Sequence, residues 1–202
     1  MTEIYFIRHA EPDISVHDDF TRPLSNKGRA DASNLVAFFN GKKIDAVLSS
    51  PFLRAVDTIK DIAVKHGCSI EIIDNFKERK IDGWIEDFGA YVKKQWFDFS
   101  YKLNDGESLK EVQQRNINAL KKVLIEHNGQ SIVIGTHGTA LSTIINYYDH
   151  TYGYEDFMKI KNKMPLIVKM TFVNEKCIGT LIYIEHKSSV IEKINGNVGI
   201  IE

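Results

Sequence analysis

IDAVLSSPFLRAVDTIKDIAVKHG, residues Ile44–Gly67, is the stretch on which the reading of the fold turns. Its opening run, Ile44–Ser50, is apolar and strand-like until it ends in two serines. The chain then passes directly into a segment where Phe52, Val56, Ile59 and Ala63 recur at helical spacing. Ser50 is placed to cap that helix, Pro51 suits its first turn and Gly67 its end. A strand that runs straight into a helix is half of a βαβ unit, and such units build parallel sheets.

Similar units lie on either side. Upstream, Ile4–Ile7 ends in Arg8, His9, Ala10, Glu11 and Pro12, and a loop to about Leu24 leads into a helix over Ser25–Asn40 closed by Gly41. Downstream, SIVIGTH (Ser131–His137) runs into GTALSTIINYY (Gly138–Tyr148). Between them come a short strand, Ile70–Ile73, a loop-rich region, Asn75–Gly106, and a helix beginning at Ser108, where Ser108 and Glu111 form a capping-box pattern. A weaker helix around Glu155–Lys161 precedes two β-rich runs, Leu166–Val173 and Cys177–Glu185, which read as a hairpin joined through Asn174. The expected fold is α/β, a three-layer αβα sandwich with a mainly parallel central sheet and a C-terminal antiparallel hairpin. Residues 1–202 read as one domain, with 75–105 as an inserted lid region.

The totals agree with that reading. A chain of 202 residues suits one domain with a sizeable core. The net charge of −1 supplies no global field for nucleic acid or an anionic membrane, so any anion site must be local. Cys68 and Cys177, far apart and outside any CxxC spacing, argue against a disulfide framework and a cysteine zinc site. No apolar run is long enough to span a bilayer, and Met1–His9 lacks a signal-like apolar stretch. A reducing cytoplasm is the expected location.

In open parallel sheets, ligands bind beyond the carboxyl ends of the strands. That rule brings together Arg8 and His9 from one strand end, Ser49 and Ser50 from a second, and Thr136 and His137 from a third. Arg54 falls in the first turn of its helix, where a cation opposes the helix dipole and an anion between them relieves the conflict. Gly138 follows His137, and its backbone can approach a ligand closely. Taken singly, these residues and Glu78 in NFKERK read as ordinary strand-end or surface side chains. Their convergence is what marks a site.

Six segments, in order, carry a resemblance to a known family. RHAEP (Arg8–Pro12), LSNKGRADA (Leu24–Ala32), SSPFLRAVDTIKDIA (Ser49–Ala63), FKERKIDGW (Phe76–Trp84), DGESLKEVQQR (Asp105–Arg115) and IVIGTHGTAL (Ile132–Leu141) resemble motifs of the histidine phosphatase superfamily, the phosphoglycerate mutase-like proteins. The resemblance implies that His9 is the nucleophile that accepts phosphate and that Arg8 and Arg54 clamp the phosphate, with Gly138 beside them. It makes His137 the second histidine on the phosphate and Glu78 the proton donor. The asparagine that mutases often carry at the position of Val16 is absent, and so is their insertion with paired arginines, for which Lys93–Lys94 is a faint stand-in.

Phosphoryl transfer spreads negative charge over the equatorial oxygens, so positioning and charge stabilisation dominate it. Arginines give forked donors to those oxygens, and a neutral histidine nitrogen attacks phosphorus while a hydrogen bond holds the other ring nitrogen. The expected function is a phosphomonoesterase that needs no metal or other cofactor and works on small phosphorylated molecules through a phosphohistidine. The alternatives are a cofactor-dependent phosphoglycerate mutase and a non-catalytic phosphate-binding module. The expected partner is a small-molecule phosphate ester, with no nucleic acid and no membrane; the oligomeric state stays open, a dimer being one candidate. His17, His66, His127, His150 and His186 show no metal-ligand spacing. Substrate choice is assigned to the loop Pro12–Pro23 and to Gly83–Tyr101. Most of the aromatics there (Trp84, Phe88, Tyr91, Trp96, Phe97, Phe99, Tyr101) are expected to pack, and one or two to line the mouth of the site.

Overall fold

Strand β1, Thr2–Arg8, is buried on both faces, as expected of a central strand covered by helices on both sides. Alternation along it sends Ile4 and Phe6 to one face and Tyr5 and Ile7 to the other, and the two sets join different cores. Tyr5 and Ile7 pack with Leu35 of α1 (Asn26–Phe38) and with Ile59 and Ile62 of α2 (Leu53–His66). Ile4 and Phe6 pack with Leu120 of α4 (Leu109–Glu126) and Leu141 of α5 (Gly138–Tyr148). The result is the three-layer αβα sandwich. This computed structural model describes residues 1–83, 85–183, 190–194 and 197–201, the last two segments as backbone. Among the described residues, no helix is long and apolar enough to cross a membrane.

The sheet has eight strands in the order β3-β2-β4-β1-β5-β6-β7-β8. Its parallel half is formed by β3 (Ile70–Ile72), β2 (Ala46–Ser49), β4 (Ser131–Thr136) and β1. Register puts Arg8 opposite Thr136 and Ser49 opposite Gly135, so three strands end together at one edge. The expected hairpin is β5 (Leu166–Val173) with β6 (Lys176–Tyr183), turned at Asn174 with φ 53°. The residues expected to end its second strand, Ile184 and Glu185, lie outside the described residues, as does His186. Two further antiparallel strands, β7 (Val190–Ile194) and β8 (Asn197–Ile201), extend the sheet beyond the hairpin.

Helix ends follow some of the sequence signals; α1 ends at Phe38 with Phe39 as its cap, short of Gly41, and Pro51 precedes the cap of α2 instead of lying in its first turn. Ser25 caps α1 by accepting from the Gly28 N–H, Ser108 and Glu111 complete their capping box at α4, and Gly67 closes α2 in the left-handed conformation. Ser50 does not cap α2: the helix starts at Leu53 behind Phe52, and the Ser50 hydroxyl is drawn to His137 instead. The loop-rich region also holds a regular helix, α3 (Phe88–Phe97), capped by the Asp87 carboxylate on the Ala90 N–H at 2.8 Å. Trp96 of α3 stacks against Phe157 of α6 (Tyr154–Ile160), joining this segment to the domain.

Candidate active site

The end of β1 is held in place from three directions. The His9 N–H donates to the Thr136 carbonyl at 3.0 Å, and the Ala10 N–H donates to Thr58 Oγ1 at 2.9 Å. Thr58 in turn donates to the Arg54 carbonyl at 2.7 Å, tying the loop after β1 to the first turn of α2. Ahead of it, the Ser25 N–H donates to the Glu11 carbonyl at 2.9 Å. A Cβ at position 28 would lie 2.1 Å from that carbonyl oxygen, so glycine alone lets α1 approach so closely.

This frame fixes the His9 ring. Nδ1 lies 2.7 Å from the Ala10 carbonyl, which can only accept, so Nδ1 carries the proton and Nε2 the lone pair. Burial, with the charges of Arg54 and Arg8, lowers the His9 pKa to about 3, and the ring is neutral at physiological pH. His137 is fully buried with its ring centroid 5.2 Å from that of His9. Burial and the neighbouring His9, Arg54 and Arg8 hold its pKa well below the usual value. Its Nε2 is 2.7 Å from Ser50 Oγ, and its Nδ1 has no hydrogen-bond partner.

Two guanidiniums flank the histidines. Arg8 Nη1 donates to the carbonyls of Ile160, Lys161 and Lys163, at 3.0, 2.8 and 3.3 Å, in a favourable place for a cation at the end of α6. Its Nε is buried and without a partner. A Cβ on residue 138 would meet Arg8 Cζ at 3.0 Å, a tight contact to which the guanidinium would have to yield. Arg54 is 3% exposed and donates from Nη1 to the Asp19 carbonyl at 2.6 Å, with Asp19 Oδ1 3.0 Å away.

Glu78 reaches the start of α5 from the loop after the 3-10 turn Asp74–Phe76. Its oxygens accept from the N–H groups of Thr139, Ala140 and Arg79 at 3.0, 3.1 and 2.8 Å. The loop is buckled by Arg115, which donates to the carbonyls of Asn75, Lys77 and Glu78 and pairs with both oxygens of Glu107. Sequence reasoning quoted Arg115 within DGESLKEVQQR but gave it no task; the signal was the motif itself.

A cavity of about 410 Å³ adjoins the site, and Arg8, Glu78, Arg79, Phe88, Gly138 and Phe157 are among the residues that line it. His9, Arg54 and His137 stand outside its wall, so it meets the histidine cluster from the side of Arg8 and Glu78. Of the aromatics between Gly83 and Tyr101, Phe88 lines this cavity, Tyr91 and Trp96 are buried in packing, and Trp84 lies outside the described residues. Lys94 is turned onto the Tyr101 ring, 3.8 Å from its centroid. Among the described residues, no cluster of three or more His, Cys, Asp or Glu side chains is arranged to hold a metal ion.

The sequence model of the histidine phosphatase superfamily (branch 1) matches residues 4–181. The 2,3-bisphosphoglycerate-dependent phosphoglycerate mutase of Methanococcus vannielii is 24% identical over 93% of this chain and 97% of its own. Phosphoglycerate mutase-like protein 4 of Arabidopsis thaliana is 29% identical over 70% of this chain and 69% of its own. In fold, the chain is similar to a phosphoserine phosphatase of Entamoeba histolytica solved with phosphoserine, with a TM-score of 0.70, 20% identity and coverage of 94% and 96% of the two chains. A mycobacterial glucosyl-3-phosphoglycerate phosphatase superposes with a TM-score of 0.67 at 14% identity, over 87% of this chain and 94% of its own. All six motifs lie within the matched span, and on that match the chain belongs to the histidine phosphatase superfamily.

Proposed function

We propose that the chain is a phosphomonoesterase that works through a phosphohistidine at His9. The observation that carries this reading is the His9 ring: neutral, pinned through Nδ1, and presenting a lone pair on Nε2 beside the buried guanidinium of Arg54 and the part-buried one of Arg8. In the first step Nε2 attacks phosphorus, the ester P–O bond breaks, and the departing oxygen takes a proton from Glu78. Arg8, Arg54 and His137 stabilise the charge on the transferring group. In the second step water attacks phosphorus, its proton passes to the Glu78 carboxylate, and the P–N bond breaks to restore Nε2. Gly138 serves the phosphate site through its close packing with Arg8. The cavity lies on the side of the proton donor, which suits the alcohol portion of the ester. Its two free cysteines fit a cytoplasmic setting.

Mutase chemistry is the second reading, supported by the names of the relatives. It is disfavoured here because no paired arginines occupy the inserted segment and Lys94 faces a tyrosine ring. The deciding experiment is phosphate release from a panel of phosphate monoesters, with and without 2,3-bisphosphoglycerate, in EDTA and in vanadate. Release that EDTA spares and vanadate blocks supports the phosphatase. Interconversion of phosphoglycerates that requires the bisphosphate would replace it with the mutase.

A further inference from the structure

Arg79 stands in the cavity wall with no task in the reaction above. It is only 6% exposed, yet no carboxylate among the described residues is paired with it. Glu107 engages Arg115 and the Lys80 N–H, while Glu78 engages the N–H groups of Thr139, Ala140 and Arg79 itself. Both carboxylates act on the Arg79 guanidinium only through space, and its direct contacts are neutral. Its Nη1 donates to Gln95 Oε1, and the rings of Phe88 and Tyr91 lie 5.7 and 5.4 Å from its Cζ. Gln95 is fixed in that orientation because its Nε2 donates to the carbonyls of Tyr101 and Glu107, at 2.9 and 3.0 Å. The Arg79 Nε is buried and, among the described residues, without a partner.

A buried cation whose direct contacts are an amide oxygen and two rings is undercompensated, and an anion that reaches it from the cavity it lines would complete it. The rest of the cavity indicates what carries the anion. Ile81, Phe88, Val92, Phe157 and Met158 make its wall largely apolar, and its volume exceeds what a three-carbon fragment fills. A planar carboxylate matches a guanidinium edge in two-point fashion, whereas a second phosphate dianion among these apolar walls would need more donors than Arg79 offers.

We infer that Arg79 binds a carboxylate on the alcohol portion of the substrate, so the preferred substrates are phosphate monoesters of hydroxy acids with an apolar body between the two anionic ends. This rests on the phosphatase reading for where the phosphate sits. The test pairs two esters, (carboxymethyl)phenyl phosphate and its neutral amide (carbamoylmethyl)phenyl phosphate, as meta and para isomers. The methylene insulates the leaving oxygen from the change of charge. For at least one isomer, kcat/KM and calorimetric Kd of the unmodified protein should favour the acid by about ten-fold or more. Arg79→Met should erase that preference, and Arg79→Lys, which keeps the charge without the fork, should keep part of it. Equal treatment of acid and amide by the unmodified protein would overturn the inference, and that comparison stands even if the variants fail to fold. So would a preference that survives in Arg79→Met, or failure of every ester to bind. If the esters bind but none is hydrolysed, the phosphatase reading fails, while the Kd ratio still decides the role of Arg79.

Discussion

Asp19 Oδ1 lies 3.0 Å from Arg54 Nη1, and the same nitrogen donates to the Asp19 carbonyl at 2.6 Å. Asp19 is half exposed on the loop Pro12–Pro23, while the Arg54 side chain is 4% exposed. A loop carboxylate thus rests on a guanidinium that the proposed reaction needs for phosphate, and Arg22 Nη1 pairs with the same Asp19 oxygen at 3.0 Å. The two anions compete for one cation. Asp19→Asn should therefore tighten inhibition by vanadate or phosphate by about two- to five-fold, the scale of a partly exposed ion pair. Weaker inhibition in this variant would show that Asp19 orients Arg54 instead of opposing the ligand.

The buried histidines should make the fold acid-sensitive. His9 has a folded pKa of about 3 against an ordinary 6.5, so between those values the unfolded chain binds the proton that the folded one excludes. Stability is then full above about pH 6.5 and is lost as pH falls towards 3; His137, shifted the same way, adds to the loss. Thermal melts from pH 7 to pH 4 should show a smaller drop for His9→Asn than for the unmodified protein. Parallel curves would mean that His9 is not buried neutral.

Glu78 is tested through the leaving group. An alkyl ester departs as a strongly basic alkoxide and needs the proton; a nitrophenyl ester scarcely does. Glu78→Gln should slow the first turnover of the alkyl ester by about 10²- to 10⁴-fold, the usual worth of general acid catalysis. The aryl ester should lose far less. Equal slowing in a rapid-quench comparison would assign the proton to another group.

Arg115 acts at one remove, by holding the loop that carries Glu78. Arg115→Met leaves Glu107 half-buried without its partner and releases three backbone carbonyls. The melting temperature should fall by several degrees, and the alkyl ester should suffer more than the aryl ester, mirroring Glu78→Gln in a milder form. A melt as low with no such selectivity would reduce Arg115 to a purely structural role.

Much of this arrangement was legible in the sequence because β1, β2 and β4 carry apolar runs that end abruptly in polar residues. Arg8, His9, Ser49, Thr136 and His137 therefore announced one edge before any coordinates. Contacts across long sequence distances were not legible. Ser50 has the look of a helix cap, and only the fold brings His137 to its hydroxyl. Gly138 suggested ligand approach, yet the atoms nearest its missing Cβ belong to Arg8. Helix α3 was obscured by Gly89 and by the charged residues on either side, although Phe88, Tyr91, Val92 and Trp96 keep helical spacing. Asp19 and Arg79 gave no signal, since their meaning lies wholly in which charges fold beside them.

The central claim is that His9 carries the phosphoryl group. It is tested by mixing the protein with a phosphate ester radiolabelled at phosphorus, quenching in base within the first turnovers, and mapping the protein-bound label. Base-stable, acid-labile label is expected on the peptide that holds His9, formed and lost fast enough to sustain turnover. His9→Ala should lack the label and lose about 10³-fold or more in rate while keeping a normal fold. Hydrolysis at full rate with no label on His9, or in His9→Ala, would contradict it.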